Sequence, residues 1–300
     1  CNEIHHTPTD SILRNRGDIV YHAKHLTIDH FAVTHGNQHI IIAGLATPNP
    51  KDSVVAELKN VDIAYILNLV NFHAVEFSGK ASGMAYIASA FNKPSASARL
   101  QIDDFRFEDG RMGTLYADSR WNEKEGQIDI DAIAKDTVLN RMGERYVPLE
   151  TSIQGYLSPR KNNIELNIKA NGTRIEFLKS FCGSFIDRVD AFADGNVQVA
   201  GPLDKINLTG ELIANGSLHL SALNTSYTLK HAKVHAIPNE IRFLNDTIYD
   251  RDGHQGILSG ALYHQHLTKM SYDINVDARN LLSYDTHAFG DNTFYGTAYA

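Results

Sequence analysis

The sequence is poor in the features that mark several large classes of protein. Only two of its 300 residues are cysteine, too few for a disulfide framework. Lysine and arginine total 28 against 35 aspartate and glutamate residues, which excludes the basic excess typical of nucleic-acid-binding proteins. The longest apolar run, Ile63–Val70, is much shorter than the roughly 20 residues of a membrane-spanning helix. We therefore expect neither a nucleic-acid partner nor a transmembrane helix in these residues.

The sequence also lacks the short motifs of common catalytic sites. It contains no nucleophile elbow, no His-Glu-x-x-His motif and no glycine-rich phosphate loop. Carboxylates occur in pairs at Asp103–Asp104 and at Asp129 and Asp131, and glycosidases use such pairs as acid and base. Because these aspartates fall on the hydrophilic side of predicted strands, we interpret them as solvated. We predict a protein that is not an enzyme and has no cofactor.

Histidine is abundant, with 15 residues, and raises the question of a metal site. His231 and His235 are too far apart along a predicted strand to chelate easily. His264 and His266 could bind zinc if a third ligand approached, but no cysteine pair or nearby glutamate motif supports this. Tyr249–Gly256 resembles part of a calcium loop without its terminal glutamate, and also describes a hairpin turn. We favour surface histidines and a turn, and predict no metal site.

Alternation of apolar and polar residues is the strongest pattern that the sequence contains. In Ile164–Ala170, apolar residues alternate with glutamate, asparagine and lysine. Because successive side chains of a strand point to opposite faces, such a segment has one apolar and one wet face, as in antiparallel sheets. The alternation changes phase at Asp103–Asp104, which predicts a β-bulge. Similar segments are 96–103, 128–133, 206–212 and 272–278.

Dipeptides that favour tight turns separate these segments. Asn-Gly and Asp-Gly tolerate the positive φ that hairpin turns require. Strands joined by such turns along most of the chain predict an all-β fold with an antiparallel-rich sheet. The predicted turns are Asp109–Gly110, Glu125–Gly126, Asn171–Gly172, Asn215–Gly216 and Asp252–Gly253.

Two segments have helical spacing instead, and they introduce an internal repeat. We predict short helices within Asn60–Val70 and within Thr173–Ile186. Each is followed by a glycine-containing strand and a second amphipathic strand, so a related order occurs at about 60–135 and at 173–280. Repetition of one unit is typical of an elongated stack. We predict one elongated β domain over residues 1–300 and interpret the chain as a piece of a longer protein.

The order and spacing of several sequence segments are distinctive. The segments are Gly195–Leu212, Leu223–Tyr227, Ile241–Asp246, Asp252–Leu262, Leu281–Thr286 and Phe294–Tyr299. Together with Phe77–Gly113, they resemble the C-terminal region of the TamB family of translocation and assembly module proteins, which are AsmA-like proteins of Gram-negative bacteria, in the form seen in Bacteroidetes. The resemblance covers roughly residues 54–300.

The resemblance implies both a fold and a role. It implies a periplasmic protein whose inner-membrane anchor lies outside this chain. It implies a long curled sheet, called a β-taco, with an apolar inner groove, and an outer-membrane barrel of the Omp85 class as partner. The implied roles are outer-membrane biogenesis through phospholipid movement between the two membranes and assistance in outer-membrane protein assembly, without catalytic residues.

A groove of this kind has a simple physical use. Exposing an acyl chain to water costs about 0.8 kcal/mol per CH₂, or roughly 12 kcal/mol for sixteen carbons, and an apolar groove removes most of that barrier. A packed sandwich core would show the same alternation, so alternation alone does not distinguish the two. The residues predicted to line the groove and to contact phospholipid acyl chains are Leu100, Ile102, Ile128, Ile130, Ile164, Leu166, Ile168, Val197, Val199, Ile206, Leu208, Ile274 and Val276.

The aspartates on the wet faces support a second hypothesis, a secreted β-rich protein that binds or degrades polysaccharide. A parallel solenoid of that kind has repeats of about 20 to 30 residues. The sequence shows no such short repeat. An aromatic-lined groove with a carboxylate pair would favour this hypothesis.

Overall fold

A computed structural model describes residues 3–6, 11–15, 19–69, 75–139, 146–182, 185–286 and 295–300. These residues form β-strands and two short α-helices, and β1 to β18 belong to one large antiparallel sheet. The predicted all-β, antiparallel fold with two short helices is confirmed. The predicted curled groove remains a prediction. Within the described ranges, the chain has no helix of sufficient length and apolar character to span a membrane.

The first half of the chain contains the following elements. They are β1 (Glu3–His6), β2 (Ser11–Asn15), β3 (Ile19–His22), β4 (His25–His35), β5 (Gln38–Ala46), β6 (Ser53–Asp62), α1 (Ile63–Leu69), β7 (Phe77–Ala88), β8 (Ser95–Phe107), β9 (Gly110–Asn122) and β10 (Gln127–Leu139). Strands β4 to β7 pair in sequence order, and β2 and β3 both pair with β4, at different places along it.

The second half begins with β11 and ends with a small separate sheet. Its elements are β11 (Tyr146–Ser158), β12 (Asn163–Arg174), α2 (Leu178–Cys182), β13 (Ile186–Pro202), β14 (Asn207–Leu220), β15 (Thr225–Ile237), β16 (Glu240–Tyr249), β17 (Gln255–Gln265), β18 (Thr268–Ala278), β19 (Leu282–Thr286) and β20 (Gly296–Tyr299). Strands β13 to β18 pair in sequence order, and β19 pairs with β20.

The chain divides into two compact units. Unit 1 comprises Cys1–Arg106, Gly113–Lys135 and Ser152–Ile164, and unit 2 comprises Phe107–Met112, Asp136–Thr151 and Glu165–Ala300. The single elongated domain and the internal repeat stay predictions.

Both helices are shorter than predicted because strands occupy the ends of the predicted segments. The residues before α1 belong to β6, and those before α2 include the end of β12. Asp62 lies immediately before α1 and caps it, since the Ala64 N–H donates to Asp62 Oδ1 at 3.1 Å. Ile186, predicted to be helical, is the first residue of β13, and Val70 lies outside the described residues.

The predicted phase change in β8 is confirmed. Asp104 has a φ of 50°, and the residues on either side of the break, Ile102 and Phe105, are both buried although they lie three positions apart. Strict alternation would place them on opposite faces. The extra residue therefore keeps both apolar side chains on the buried side.

Similar irregularities recur in other strands. At these positions some backbone N–H groups have no partner in the strand ladder, and they donate hydrogen bonds to polar side chains of the neighbouring strand. Asn60 and His231 lie at register shifts and have positive φ. The Asn60 N–H donates to Ser82 Oγ at 3.0 Å, and the His231 N–H donates to Asn215 Oδ1 at 2.9 Å. These side chains thus supply an acceptor for a backbone N–H group at each irregularity.

The predicted turns have mixed outcomes. Glu125–Gly126 and Asp252–Gly253 lie in connections between consecutive strands, as predicted, whereas Asp109 lies in the connection of β8 with β9 and Gly110 is the first residue of β9. The turns predicted at Asn171–Gly172 and Asn215–Gly216 are wrong, because both pairs lie inside strands. Glycine at positive φ is compatible with a β-bulge as well as with a turn. Gly216 has a positive φ, and the register of β14 with β15 shifts between Ala214 and Gly216, so this pair marks an irregularity within the strand.

Candidate functional site

The registers in unit 2 place one set of apolar residues on a single face of β13 to β18, which we call the apolar face. Directly opposite residues of antiparallel strands share a face. Val199 lies opposite Leu208 in the pairing of β13 with β14. In the next strands Phe243 lies opposite Gly260, and Gly260 lies opposite Ile274. The apolar face therefore continues from β13 to β18.

One end of the apolar face is covered by other parts of unit 2. Ile175, just before α2, and Leu281, just before β19, pack against the sheet here and are themselves buried. Phe177 and Leu178 add partly buried contacts. We call this end the covered part. Its sheet residues are Val189, Ala191, Ala193, Ala214, Leu229, Ala232 and Ile248.

Asp250 connects the beginning of β19, which follows the covering residue Leu281, to the sheet through buried hydrogen bonds. The side chain of Asp250 lies in the β16–β17 connection and is fully buried. Asp250 Oδ2 accepts the Leu282 N–H at 2.8 Å and lies 3.0 Å from His254 Nδ1, while Oδ1 accepts the N–H groups of Asp252 and His254 at 2.9 Å each. Burial alone would raise the pKa of Asp250, but these hydrogen bonds outweigh it and lower the pKa.

At the other end of the apolar face, which we call the open part, the large apolar side chains lie outside the buried cluster of the covered part, although the Tyr272 ring stacks on Phe185 with centroids 5.5 Å apart. None of these large apolar side chains belongs to the buried cluster, and three of them are exposed while six are half-buried. The small residue that β15 contributes to this end of the face, Ala236, is buried, with 4% of its surface exposed. Tyr272 is 61% exposed, Val276 41% and Ile274 38%, which are high values for large apolar residues of a strand. The open part consists of Val197, Val199, Leu208, Ile241, Phe243, Leu262, Tyr272, Ile274 and Val276.

The structure brings several of the predicted groove residues together in unit 2. Val197, Val199, Leu208, Ile274 and Val276 all belong to the open part. Their shared face follows from continuous registers across β13 and β14 and across β17 and β18, joined through β15 and β16. Ile206 precedes β14 and is buried, with 2% of its surface exposed.

The predicted groove residues of β12 lie on the same side of the sheet as the apolar face. Gln198 Nε2 donates to Glu165 Oε1 at 3.4 Å, so both side chains lie on the opposite, polar face. Alternation along β12 then places Leu166 and Ile168 on the side of the apolar face. Both side chains are half-buried.

The remaining predicted groove residues lie in unit 1. Ile102 and Ile164 are buried, each with 2% exposed, whereas Leu100 is half-buried. Ile128 and Ile130 of β10 are half-buried and lie opposite residues of β9. Unit 1 therefore also contains strands with partly exposed apolar residues.

Some residues of the open part were not predicted from the sequence. Ile241 and Phe243 alternate for only a few residues before Leu244 and the register shift of β16 interrupt the pattern. Asn245, at a φ of 57°, marks that shift. A search for alternation that allows one extra residue at an asparagine would have found this strand.

The histidine pair His264 and His266, at the end of β17 and in the turn after it, gives no complete ligand set. His264 Nδ1 accepts the Leu267 N–H at 3.1 Å, so the proton of the neutral ring resides on Nε2. That nitrogen and His266 Nδ1 are buried and have no hydrogen-bond partner among the described residues. Burial, and to a smaller extent His266, lowers the pKa of His264.

One cluster within the described ranges has the spacing of a metal site. It consists of Asp250, Asp252 and His254, whose ligand atoms lie within 4.8 Å of one another. The carboxylate of Asp250 is already used by backbone N–H groups, and His254 Nε2 contacts Asn280 Nδ2 at 2.9 Å. These contacts explain the cluster as a hydrogen-bonded turn between β16 and β17.

The paired carboxylates also take part in local hydrogen bonds. Asp129 accepts from Gln127 Nε2 at 2.6 Å and from Asn122 Nδ2 at 3.2 Å. Asp131 accepts from Gln154 Nε2 at 3.3 Å. These contacts give the polysaccharide hypothesis no specific support.

Comparison with known proteins leaves the family open. No family model matches the chain, and searches of curated proteins and of solved structures find no match. The resemblance to the TamB family therefore rests on the sequence phrases alone.

Proposed function

We propose that the open part of the apolar face binds phospholipid acyl chains, in a non-enzymatic protein of outer-membrane biogenesis. In this proposal the protein conducts phospholipid between the inner and outer membranes, assists outer-membrane protein assembly, or does both. The observation that carries the proposal is the set of half-buried and exposed large apolar side chains that β13, β14, β16, β17 and β18 place on one face.

The contrast within one face supports this proposal. Val189 and Val199 lie on the same face of β13, yet Val189 is 3% exposed in the covered part whereas Val199 is only half-buried in the open part. Leaving apolar area in water costs about 25 cal/mol per Å². An acyl chain laid over the open part removes that cost without requiring any specific polar contact.

The polar side of the same strands suits a wall between lipid and water. Glu211, Lys233 and Asp273 are exposed, and their registers place them on the face opposite the apolar one. A strand with one apolar and one charged face can contact lipid on one side and solvent on the other. We extend the proposed role to Leu166 and Ile168 and to the partly exposed apolar residues of unit 1.

Location and partner follow from the resemblance and are part of the same proposal. The TamB-like phrases support a periplasmic location in a protein anchored to the inner membrane outside this chain. They also support an outer-membrane barrel protein of the Omp85 class as partner.

We expect Val199→Glu to weaken binding of a fluorescent sixteen-carbon fatty acid to the purified chain by about tenfold or more. A carboxylate placed among Val197 and Leu208 must lose hydration when an acyl chain covers it. Because Val199 is half-buried and lies outside the buried cluster, the fold should persist, which circular dichroism would verify.

The matched control for this variant is Gln198→Glu, on the polar face of the same strand. It adds the same charge one residue away, and binding should stay within about twofold of the unchanged chain. Equal weakening by both variants would count against an acyl chain on the apolar face.

A further inference from the structure

The last strand of unit 2 is unusually exposed. Every residue from Ser271 to Asp277 in β18 is exposed, on both the apolar and the polar face. The described registers pair β18 with β17 alone, from Gly256 opposite Ala278 to Gln265 opposite Thr268. Such exposure is typical of an edge strand, whose outer N–H and C=O groups can pair with another strand.

This edge has few of the features by which proteins prevent strand addition. Between Ser271 and Ala278 it contains no proline, lysine or arginine. Its register with β17 is continuous over these residues, and the shift lies outside them, between Tyr263 and Gln265. A regular edge of this length can accept an extended peptide over several residues.

The charges on β18 indicate which kind of strand fits. Asp273 and Asp277 lie on the polar face, opposite Ala261 and Ile257 of β17, which carry no charge. Neither aspartate forms a salt bridge within the described part of the chain. A strand added on the outer side would supply the cross-strand neighbour that each aspartate lacks, and opposite charges there are favourable.

We propose that the outer edge of β18 binds an extended polypeptide strand from a partner protein, in which apolar residues alternate with basic or neutral polar ones. The apolar residues of that strand extend the row of Tyr272, Ile274 and Val276, and its basic residues face Asp273 and Asp277. A second copy of β18 suits the edge less well, because it brings the same two aspartates and no basic residue between Ser271 and Ala278. This proposal does not depend on acyl-chain binding.

A synthetic peptide tests the proposal directly. The probe is Val-Lys-Val-Thr-Val-Lys-Val with blocked ends and a fluorophore, and its binding to the purified chain is measured by fluorescence anisotropy. We expect saturable binding that weakens at high salt, and no binding of the analogue with glutamate in place of lysine. Two further analogues test for backbone pairing. One is N-methylated on alternate residues of the peptide, and the other is N-methylated on the residues between them. At least one of them should fail to bind, because N-methylation removes edge hydrogen bonds.

A pair of variants assigns the binding to β18. The double variant Asp273→Lys and Asp277→Lys should weaken binding of the basic peptide by about tenfold and allow the glutamate peptide to bind. The double variant Glu57→Lys and Asp204→Lys changes two exposed acids elsewhere by the same charge and should leave binding unchanged. The proposal would be overturned if the two double variants had equal effects or if the basic peptide did not bind. Full binding by both N-methylated peptides, or self-association of the chain through β18, would overturn it as well.

Discussion

Replacing Ile248 by alanine should destabilise unit 2 by about 2–5 kcal/mol, whereas Ile274→Ala should cost about 1 kcal/mol or less. Both isoleucines belong to the apolar face of unit 2. Ile248 is 3% exposed and packs in the covered part, while Ile274 is 38% exposed in the open part. The same deletion thus probes the two ends of one face.

The difference has a clear physical cause. Removing buried methyl groups from the covered part loses transfer free energy and leaves a cavity beneath the residues that pack over it, Ile175 and Leu281. At the open part water already reaches the side chain, so little transfer free energy is lost and no cavity forms. The remaining cost there is the lower strand propensity of alanine.

Urea denaturation followed by circular dichroism measures both variants against the unchanged chain. A third variant, Ile257→Ala, provides a reference, since Ile257 is 39% exposed on the opposite face of β17. Its effect should match that of Ile274→Ala. A loss at Ile274 as large as that at Ile248 would mean that the open part is packed, and would contradict acyl-chain binding there.

Asp250→Ala should destabilise the packing of β19 against the rest of unit 2 by about 3 kcal/mol. The substitution leaves the buried Leu282 N–H without its acceptor and also removes the acceptor of the Asp252 and His254 N–H groups. An unsatisfied buried donor costs about 1–3 kcal/mol, more where its partner was charged. Hydrogen exchange of the Leu282 amide should accelerate by at least about tenfold.

The neighbouring variant Asp252→Ala is the control for this experiment. Asp252 is exposed, and its carboxylate accepts from the Tyr299 hydroxyl at 3.1 Å, also at the surface. Its loss should cost about 1 kcal/mol or less. Comparable destabilisation by the two variants would mean that Asp250 does not hold the cover in place.

The lowered pKa of Asp250 adds a dependence on pH. Because the folded-state pKa lies below that of the unfolded chain, this contribution is fully present above about pH 4 and is lost as the pH falls through the folded-state value. The unchanged chain should therefore lose more stability between pH 7 and pH 3 than Asp250→Ala does. Urea midpoints at the two pH values measure this difference.

Local patterns in the sequence were sufficient to predict the all-β class, several of the strands and the two short helices. A period of two depends only on neighbouring residues, and segments such as Ile164–Ala170 display it without interruption. Dipeptides of asparagine and glycine were ambiguous, because positive φ serves hairpin turns and bulges equally. Asn215–Gly216 consequently lies inside β14 instead of ending it.

The division of the apolar face could not be predicted from the alternation. Val189 and Val199 occupy equivalent positions in the pattern of β13, but only Val189 is buried by the core. The cover comes from Ile175 and Leu281, which are distant from each other in sequence. Whether an apolar face is packed or open depends on such long-range contacts, and alternation carries no information about them.

The most direct test of the central claim is photo-crosslinking in the full-length protein in cells that contain labelled phospholipid. A photo-reactive amino acid is placed at Ile168, on the side of the apolar face, and separately at the exposed Lys169, on the opposite side of β12. We expect labelled phospholipid attached at position 168 and none at position 169. Crosslinks at position 168 only to other parts of the protein, without lipid, would show that this face is packed and would contradict the proposed function.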